Sequence, residues 1–185
     1  MAKIYTRTGD DGTTGVIGGK RVSKDSPWTN AGGSLDELSA LIGVVRSNAL
    51  PSRVDEVLQL VQSHLIVIGS EIAAPEGIAR RGPQIRDEDV KALESEIDAL
   101  ENDLVPLKQF ILPGGGRAAA ELHLARAVAR RAEREYVALS RMEKASPKVL
   151  CYLNRLSDLC FVLARWVNQN QNIPELLPLP SKPED

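Results

Sequence analysis

Apolar residues spaced three and four apart along most of the chain constrain its fold more than any other feature. Strand-like alternation is nearly absent, apart from a short candidate strand over residues 3–6. Because the connections between the periodic stretches are short, except near residues 75–86 and 106–116, we predict an all-α, antiparallel, up-and-down five-helix bundle. The apolar patterns mark helices at about 35–45, 54–74, 90–104, 117–144 and 147–170.

Residues that favour helix ends refine these limits. Ser34 is a suitable N-cap for the first helix, because Asp36 and Glu37 then fall in its first turn, where carboxylates are favourable. Pro75 and Pro106 follow the second and third periodic stretches, and we expect each of these helices to end before its proline.

The composition suits a single soluble domain spanning residues 1–185, since 43% of the residues are hydrophobic and 26% are charged. We expect an N-terminal loop over residues 1–30, the bundle over 31–170 and a loose, proline-rich tail over 171–185. The net charge of −2 gives no general affinity for nucleic acid or anionic membranes. Because the chain has no long apolar run and no signal-peptide pattern, we expect a cytoplasmic protein.

Few side chains could bind a transition metal. Cys151 and Cys160 lie nine residues apart on one predicted helix, where they face opposite sides, so we expect neither a disulfide nor a shared metal. His64 and His123 are the only histidines, and neither follows a glutamate by three residues. The Glu-x-x-His pairs of a ferritin-like metal centre are therefore absent from the sequence.

The segment from Thr6 to Gly15 has the composition of a phosphate-binding loop. It contains three glycines, four threonines and two aspartates, and no large apolar side chain. Glycines allow backbone N–H groups to turn towards an anion, and threonine hydroxyls add further donors. The segment does not match the P-loop pattern. The alternative is a disordered leader rich in glycine and threonine.

The fourth predicted helix carries Arg126, Arg130 and Arg134 at i, i+4 and i+8, so the three arginines share one face. Like charges in this arrangement destabilise a helix unless anions or carboxylates neutralise them. They indicate an anion site, although a solvated basic face with glutamate partners would give the same pattern. On the fifth helix, Asn154 interrupts the apolar pattern and needs hydrogen-bond partners, from a nucleotide or from a polar network between helices.

Phe110 lies on the predicted loop between the third and fourth helices, shortly before a proline and three glycines at 113–116. An aromatic side chain in this position either anchors the loop in the core or forms a wall for a large, flat ligand. The sequence alone leaves both interpretations open.

Five segments follow one another along the chain: KIYTRTGDDGTT at 3–14, GSLDEL at 33–38, FILPGG at 110–115, RRAER at 130–134 and YLNRLSD at 152–158. Each is a weak signal alone, but together they span residues 3 to about 165, nearly the whole chain. In this order they resemble the PduO-type ATP:cob(I)alamin adenosyltransferases.

The resemblance implies a homotrimer of five-helix bundles, with active sites between neighbouring subunits. It implies transfer of the 5′-deoxyadenosyl group of ATP to cob(I)alamin, which gives adenosylcobalamin and triphosphate. By motif, Phe110 would lie under the corrin ring and act in catalysis with Arg130 and Asn154, while Asp36 would pair with Arg126 across the interface. The implied ATP site comprises Thr6, Arg7, Thr8, Gly9, Thr14, Gly15, Lys24, Arg130, Arg131, Glu133, Arg134 and Asn154.

This chemistry agrees with the residues present. Reduced cobalt is itself a nucleophile, so no general base is required, whereas the triphosphate leaving group needs cations and N–H donors. The resemblance implies that Mg²⁺ is held mainly through the ATP phosphates, and that a flavin reductase and an adenosylcobalamin-dependent enzyme are partners. The alternative is a non-catalytic adenosylcobalamin carrier or an ATP-binding regulatory protein, which an assay of triphosphate formation would distinguish from an enzyme.

Overall fold

The structure is a computed structural model that describes residues 4–74, 82–142 and 145–179. Within these ranges the chain forms five helices and one small hairpin, which confirms a predominantly helical protein with five helices. In chain order the elements are β1 (Thr13–Gly15), β2 (Arg21–Ser23), α1 (Pro27–Arg46), α2 (Ser52–Ile72), α3 (Asp87–Glu101), α4 (Arg117–Ser140) and α5 (Pro147–Asn170).

The prediction that Ser34 caps the first helix is wrong, because α1 begins at Pro27 and Ser34 lies inside it with 8% of its surface exposed. Ser26 occupies the N-cap position with an extended backbone, and Pro27 supplies the fixed φ that suits a first helical residue. The first two turns lack a periodic apolar pattern, so the sequence did not reveal them. The end of the third helix also differs from its prediction, because α3 ends at Glu101, three residues before the predicted end at 104.

The short strand predicted at 3–6 is not found in its described part, since residues 4–6 form no strand. The strands lie further along the chain, in a hairpin whose register pairs Thr14 with Val22. Gly18 and Gly19, with φ of 94° and 83°, allow the chain to reverse between the strands. The Ile17 N–H donates to the Ala73 carbonyl at 2.8 Å, which holds the hairpin against the end of α2.

Side-chain contacts show how the helices run. Arg46 at the end of α1 bonds Asp55 near the start of α2 at 2.7 Å, so these two helices are antiparallel. Asn48, just after α1, donates to Glu121 near the start of α4 at 2.7 Å, so α1 and α4 are antiparallel as well.

The remaining pairs involve α5, which packs against both α4 and α3. Tyr136 near the end of α4 donates to the Ser146 carbonyl just before α5 at 3.1 Å, so this pair is antiparallel. In contrast, Lys148 and Asp87 pair at 2.7 Å near the starts of α5 and α3, which therefore run in the same direction.

The core lies between these helices and is almost entirely aliphatic. Leu38, Ile42, Leu122 and Leu156, from α1, α4 and α5, are fully buried. Among the described residues, no helix is long and apolar enough to cross a membrane.

The segment that follows α5 was expected to be loose, but its described part is bonded to the rest of the protein. The Leu112 N–H donates to the Leu176 carbonyl at 2.7 Å, and Arg165 of α5 pairs with Glu175 at 2.5 Å. The rest of the predicted tail, residues 180–185, lies outside the described residues.

Candidate functional site

A cleft of about 960 Å³ opens between α3, α4, α5 and the loop that precedes α4. Its wall is apolar where Ile97, Phe110 and Phe161 contribute side chains, and basic where Arg126 and Arg130 do. An apolar pocket with a few convergent charged groups is the usual form of a binding site for a large organic ligand.

Phe110 stands at this cleft with 89% of its surface exposed, so it does not anchor the loop in the core. The backbone around it is fixed instead by other residues. Leu112 forms a β-bridge with Leu176, and the buried side chain of Asn168 holds the glycines that follow. An exposed aromatic ring on a fixed loop is suited to contact with a flat ligand.

The arginines of α4 divide between this cleft and a smaller hollow of about 430 Å³. Arg126 and Arg130 line the cleft, whereas Arg130 and Arg134 line the hollow together with Glu133. Arg130 is exposed and belongs to both concave surfaces, and within the described residues it makes no hydrogen bond or ion pair. Its guanidinium therefore has donors available for a ligand.

Asn154 of α5 donates to Glu133 Oε1 at 3.0 Å and accepts from Arg155 at 2.8 Å. This arrangement is the inter-helix polar network that the sequence left open, and it holds Asn154 close to the arginine face of α4. Arg131 does not share the hollow, because it pairs with Glu37 of α1 instead. The three predicted residues Asn154, Glu133 and Arg130 are thus brought together, while Arg131 faces another helix.

The N-terminal loop is ordered by contacts of its own. Asp11 accepts from the Thr13 N–H at 3.0 Å, and Arg21 donates to the Thr13 hydroxyl and the Thr8 carbonyl. The hydrogen bond from the Thr13 hydroxyl, followed by the bond from the Thr13 N–H, lowers the pKa of the Asp11 carboxyl, and the charge of Arg21 acts in the same direction. The described residues 4–26 therefore form a hydrogen-bonded loop and hairpin, not the disordered leader that the composition left open.

Over the described ranges of one protomer, no hydrogen bond or ion pair joins the predicted ATP residues of this loop to those of α4 and α5. The loop residues concerned are mostly exposed and comprise Thr6, Arg7, Thr8, Gly9, Thr14, Gly15 and Lys24. The predicted ATP residues therefore form two groups in one protomer that are not bonded to each other.

Asp36 and Arg126, which the resemblance pairs, also lie apart. Asp36 lines a hollow of about 350 Å³ between α1 and α2, beside Ile17 of the hairpin. Arg126 lines the large cleft on the other side of α4. Within one protomer the two side chains are not an ion pair.

His123 and Asn168 are site residues that the sequence analysis did not single out. His123 precedes Arg126 and Arg130 by three and seven residues, a spacing that places all three on one helical face, and all three line the cleft. That spacing was visible in the sequence. Asn168 gave no such signal, because its partners are backbone atoms of a distant loop.

The cysteines face opposite sides of α5, as predicted: Cys151 is exposed and Cys160 is buried. Burial raises the pKa of the Cys160 thiol to about 12, so it stays protonated. No cluster of three metal-ligating side chains occurs among the described residues.

Comparisons with known proteins agree along nearly the whole chain. The sequence profile of the family described as cobalamin adenosyltransferase matches residues 4–167. The chain is 40% identical to the corrinoid adenosyltransferase of Citrobacter freundii over 166 residues, which cover 89% of this chain and 94% of that protein. It is 41% identical to the corrinoid adenosyltransferase of Bacillus subtilis over 178 residues, which cover 94% of this chain and 91% of that one.

Among solved structures, the chain is similar to a variant PduO-type ATP:corrinoid adenosyltransferase from Lactobacillus reuteri complexed with cobalamin and ATP. The TM-score is 0.89 at 36% identity, with 95% of this chain and 99% of that chain covered.

Proposed function

The chain belongs to the cobalamin adenosyltransferase family, and we propose that it transfers the 5′-deoxyadenosyl group of ATP to the cobalt of cob(I)alamin, giving adenosylcobalamin and triphosphate. The observation that carries the proposal is the similarity of the whole bundle to a structure complexed with cobalamin and ATP, at a TM-score of 0.89. The large cleft and the arginine face of α4 supply surfaces suited to the two ligands.

The corrinoid occupies the cleft beside Phe110. An exposed aromatic ring on a fixed loop can cover the lower face of the corrin and exclude both water and a lower nitrogen ligand from cobalt. Removal of that ligand makes the four-coordinate, reduced state of cobalt more accessible. Phe110 would thus act by shape and exclusion rather than by proton transfer.

ATP lies along the arginine face of α4, with its triphosphate near Arg130 and Arg134. Cobalt attacks C5′ of the ribose, the C5′–O bond breaks, and its electron pair leaves with the triphosphate. The developing charge is stabilised by guanidinium and backbone N–H donors, and no protein base takes part. Mg²⁺ bound through the ATP phosphates would add positive charge to the same leaving group.

A homotrimer completes each site. The division of the predicted ATP residues between the hairpin loop and α4, in one protomer, supports a site that joins the loop of one subunit to α4 of its neighbour. The same arrangement would bring Asp36 against Arg126 of the next subunit. Each subunit would then be an up-and-down bundle with one domain, active in the cytoplasm and supplied with reduced cobalamin by a flavin reductase.

The function is tested by incubating the protein with ATP, Mg²⁺ and chemically reduced cobalamin. The visible spectrum of the product should become that of adenosylcobalamin, and triphosphate should be released in equal amount. An adenosylcobalamin carrier would bind the corrinoid and release no triphosphate, and an ATP-binding regulator would leave the corrinoid spectrum unchanged.

A further inference from the structure

Two neighbouring side chains in the large cleft carry buried polar atoms without partners. His123 Nδ1 and Arg126 Nε are shielded from solvent, and each lacks a hydrogen-bond partner in the part of the chain that the structure describes. His123 is only 4% exposed, and its ring packs at a tilt against the ring of Phe161, with 5.9 Å between ring centroids. The two residues lie one turn apart on α4 and both line the cleft.

An unpaired buried polar atom loses its hydration without compensation, so such atoms are rare in native proteins and usually explained by a role. Two of them, on consecutive turns that face one cleft, indicate a ligand group that pairs with both. Ligand binding would require the two side chains to turn so that His123 Nδ1 and Arg126 Nε reach the cleft, and side-chain rearrangements of this kind are common on binding.

The protonation state of His123 limits the chemistry of that group. Burial lowers the pKa of the imidazole, and the positive charge of Arg126 lowers it further, while Glu175 acts weakly in the opposite sense. At neutral pH the ring is therefore uncharged, and in the tautomer with its proton on Nε2 it presents a lone pair at Nδ1, whereas Arg126 Nε can only donate. With that tautomer, a partner that satisfies both must present one acceptor to Arg126 and one donor to the lone pair of His123.

A primary carboxamide meets this requirement, whereas a carboxylate offers acceptors only and would suit the tautomer with the proton on Nδ1. We propose that His123 carries its proton on Nε2 and that His123 and Arg126 together bind a peripheral carboxamide of the corrinoid, whose carbonyl accepts from Arg126 Nε while its N–H donates to His123 Nδ1. This inference rests on the proposed function, since the corrin periphery supplies the amide. It makes His123 a residue that selects amidated corrinoids over those with free carboxylates.

This role is compatible with an interfacial ion pair. A guanidinium has five N–H donors, so Arg126 can meet Asp36 of the partner subunit through its terminal nitrogens and keep Nε–H for the amide.

The test compares the affinities of the full-length protein for cob(II)inamide, whose periphery is amidated, and for cobyrinic acid, which carries carboxylates, by equilibrium dialysis. The parent should prefer the amide by about tenfold or more. His123→Leu should weaken amide binding about tenfold and leave acid binding nearly unchanged, so that the preference disappears. Its ligand-free form should be at least as stable to heat as the parent, because an unpaired buried atom has been removed.

Two further variants locate the interaction and do not depend on the leucine variant folding. His123→Asn places an amide near the position of Nδ1 and should keep most of the preference, whereas His123→Gln places it near Nε2 and should lose it. Equal amide-to-acid ratios in the parent, asparagine and glutamine proteins would overturn the inference while leaving the proposed function intact. Failure of the parent to bind either corrinoid would overturn both.

Discussion

The side chain of Asn168 on α5 occupies the space that a Cβ atom on Gly115 would need. The same amide donates to the Gly114 carbonyl at 3.0 Å and accepts from the Gly116 N–H at 2.9 Å. Because Asn168 is only 3% exposed, the loop that carries Phe110 is fixed from within the bundle. The glycines serve close approach to a buried side chain, rather than flexibility.

This contact predicts different outcomes for two adjacent substitutions. Gly115→Ala combines a φ of 106° with a clash against Asn168, so we expect a loss of about 2–3 kcal/mol in the free energy of unfolding and weaker corrinoid binding. Gly114→Ala is the matched control, because a Cβ there meets nothing within 4 Å. Urea denaturation of both variants measures the difference, and equal stability of the two would show that the contact with Asn168 is not fixed.

The five helices were predictable because each one buries apolar residues at helical spacing. Leu38 and Ile42, for example, lie four residues apart on α1 and are fully buried, as the spacing required. The first turns of α1 were not predictable, since Trp28 and the polar and small residues after it carry no such face. Their helical state depends on Pro27 and on packing.

The part of the candidate site that lies on one helix was predictable from the spacing of its residues. Spacing along one helix placed Arg126 and Arg130 on a common face, and the structure places both at one cleft. Spacing could not show that Arg131 pairs with Glu37, nor that Asn168 holds the loop before α4, because these contacts join residues far apart in sequence. Tertiary contacts of that kind are set by helix packing, which single-sequence periodicity does not report.

Arg130 offers a direct test of the leaving-group chemistry. Arg130→Lys keeps the charge but loses the planar fork that binds two oxygens, so turnover should fall by about 10²- to 10³-fold while the fold is retained. Arg117→Lys is the control, since Arg117 is an exposed arginine at the start of the same helix and pairs with Glu121 at 2.9 Å. The measurement is the rate of triphosphate release, and a rate near that of the parent for Arg130→Lys would remove this residue from the mechanism.

The proposed trimer can be tested through Asp36. Asp36→Asn should weaken cobalamin binding more than ATP binding, because it leaves the buried charge of Arg126 in the neighbouring subunit unpaired. Glu88→Gln removes one exposed carboxylate on α3 and should leave both affinities unchanged. Sedimentation of the parent should show a trimer, and an active, stable monomer at micromolar concentration would contradict the shared site.

The partly buried His64 predicts how stability depends on pH. His64 Nδ1 lies 3.0 Å from the Tyr152 hydroxyl, and burial lowers the pKa of the imidazole more than the nearby Asp89 raises it. The folded state therefore binds fewer protons than the unfolded state, so stability should fall as pH drops from about 7.5 to 5.5, by at most about 1.4 kcal/mol per pH unit. Burial also lowers the pKa of His123, so this residue too should make the protein less stable as pH falls.

The matched variant is His64→Asn, which keeps a polar atom near Nδ1 for Tyr152 and does not titrate. Its free energy of unfolding should depend less steeply on pH over this interval, with the remaining slope attributable to His123. A slope identical to that of the parent would show that His64 is not the titrating group.

Phe110 separates catalysis from simple binding. Because its ring is 89% exposed at the cleft, Phe110→Ala should cost little stability but open space below the corrin for water or the lower nitrogen ligand. Five-coordinate cob(II)alamin should then predominate in the ATP-bound protein, and turnover with a flavin-based reductant should fall steeply, while ATP affinity stays near that of the parent. Val105→Ala is the control, since Val105 is also exposed but does not line the cleft. The cob(II)alamin absorption spectrum reports the coordination state, and a four-coordinate signal with parent-like turnover in Phe110→Ala would show that the ring plays no part in removing the lower ligand.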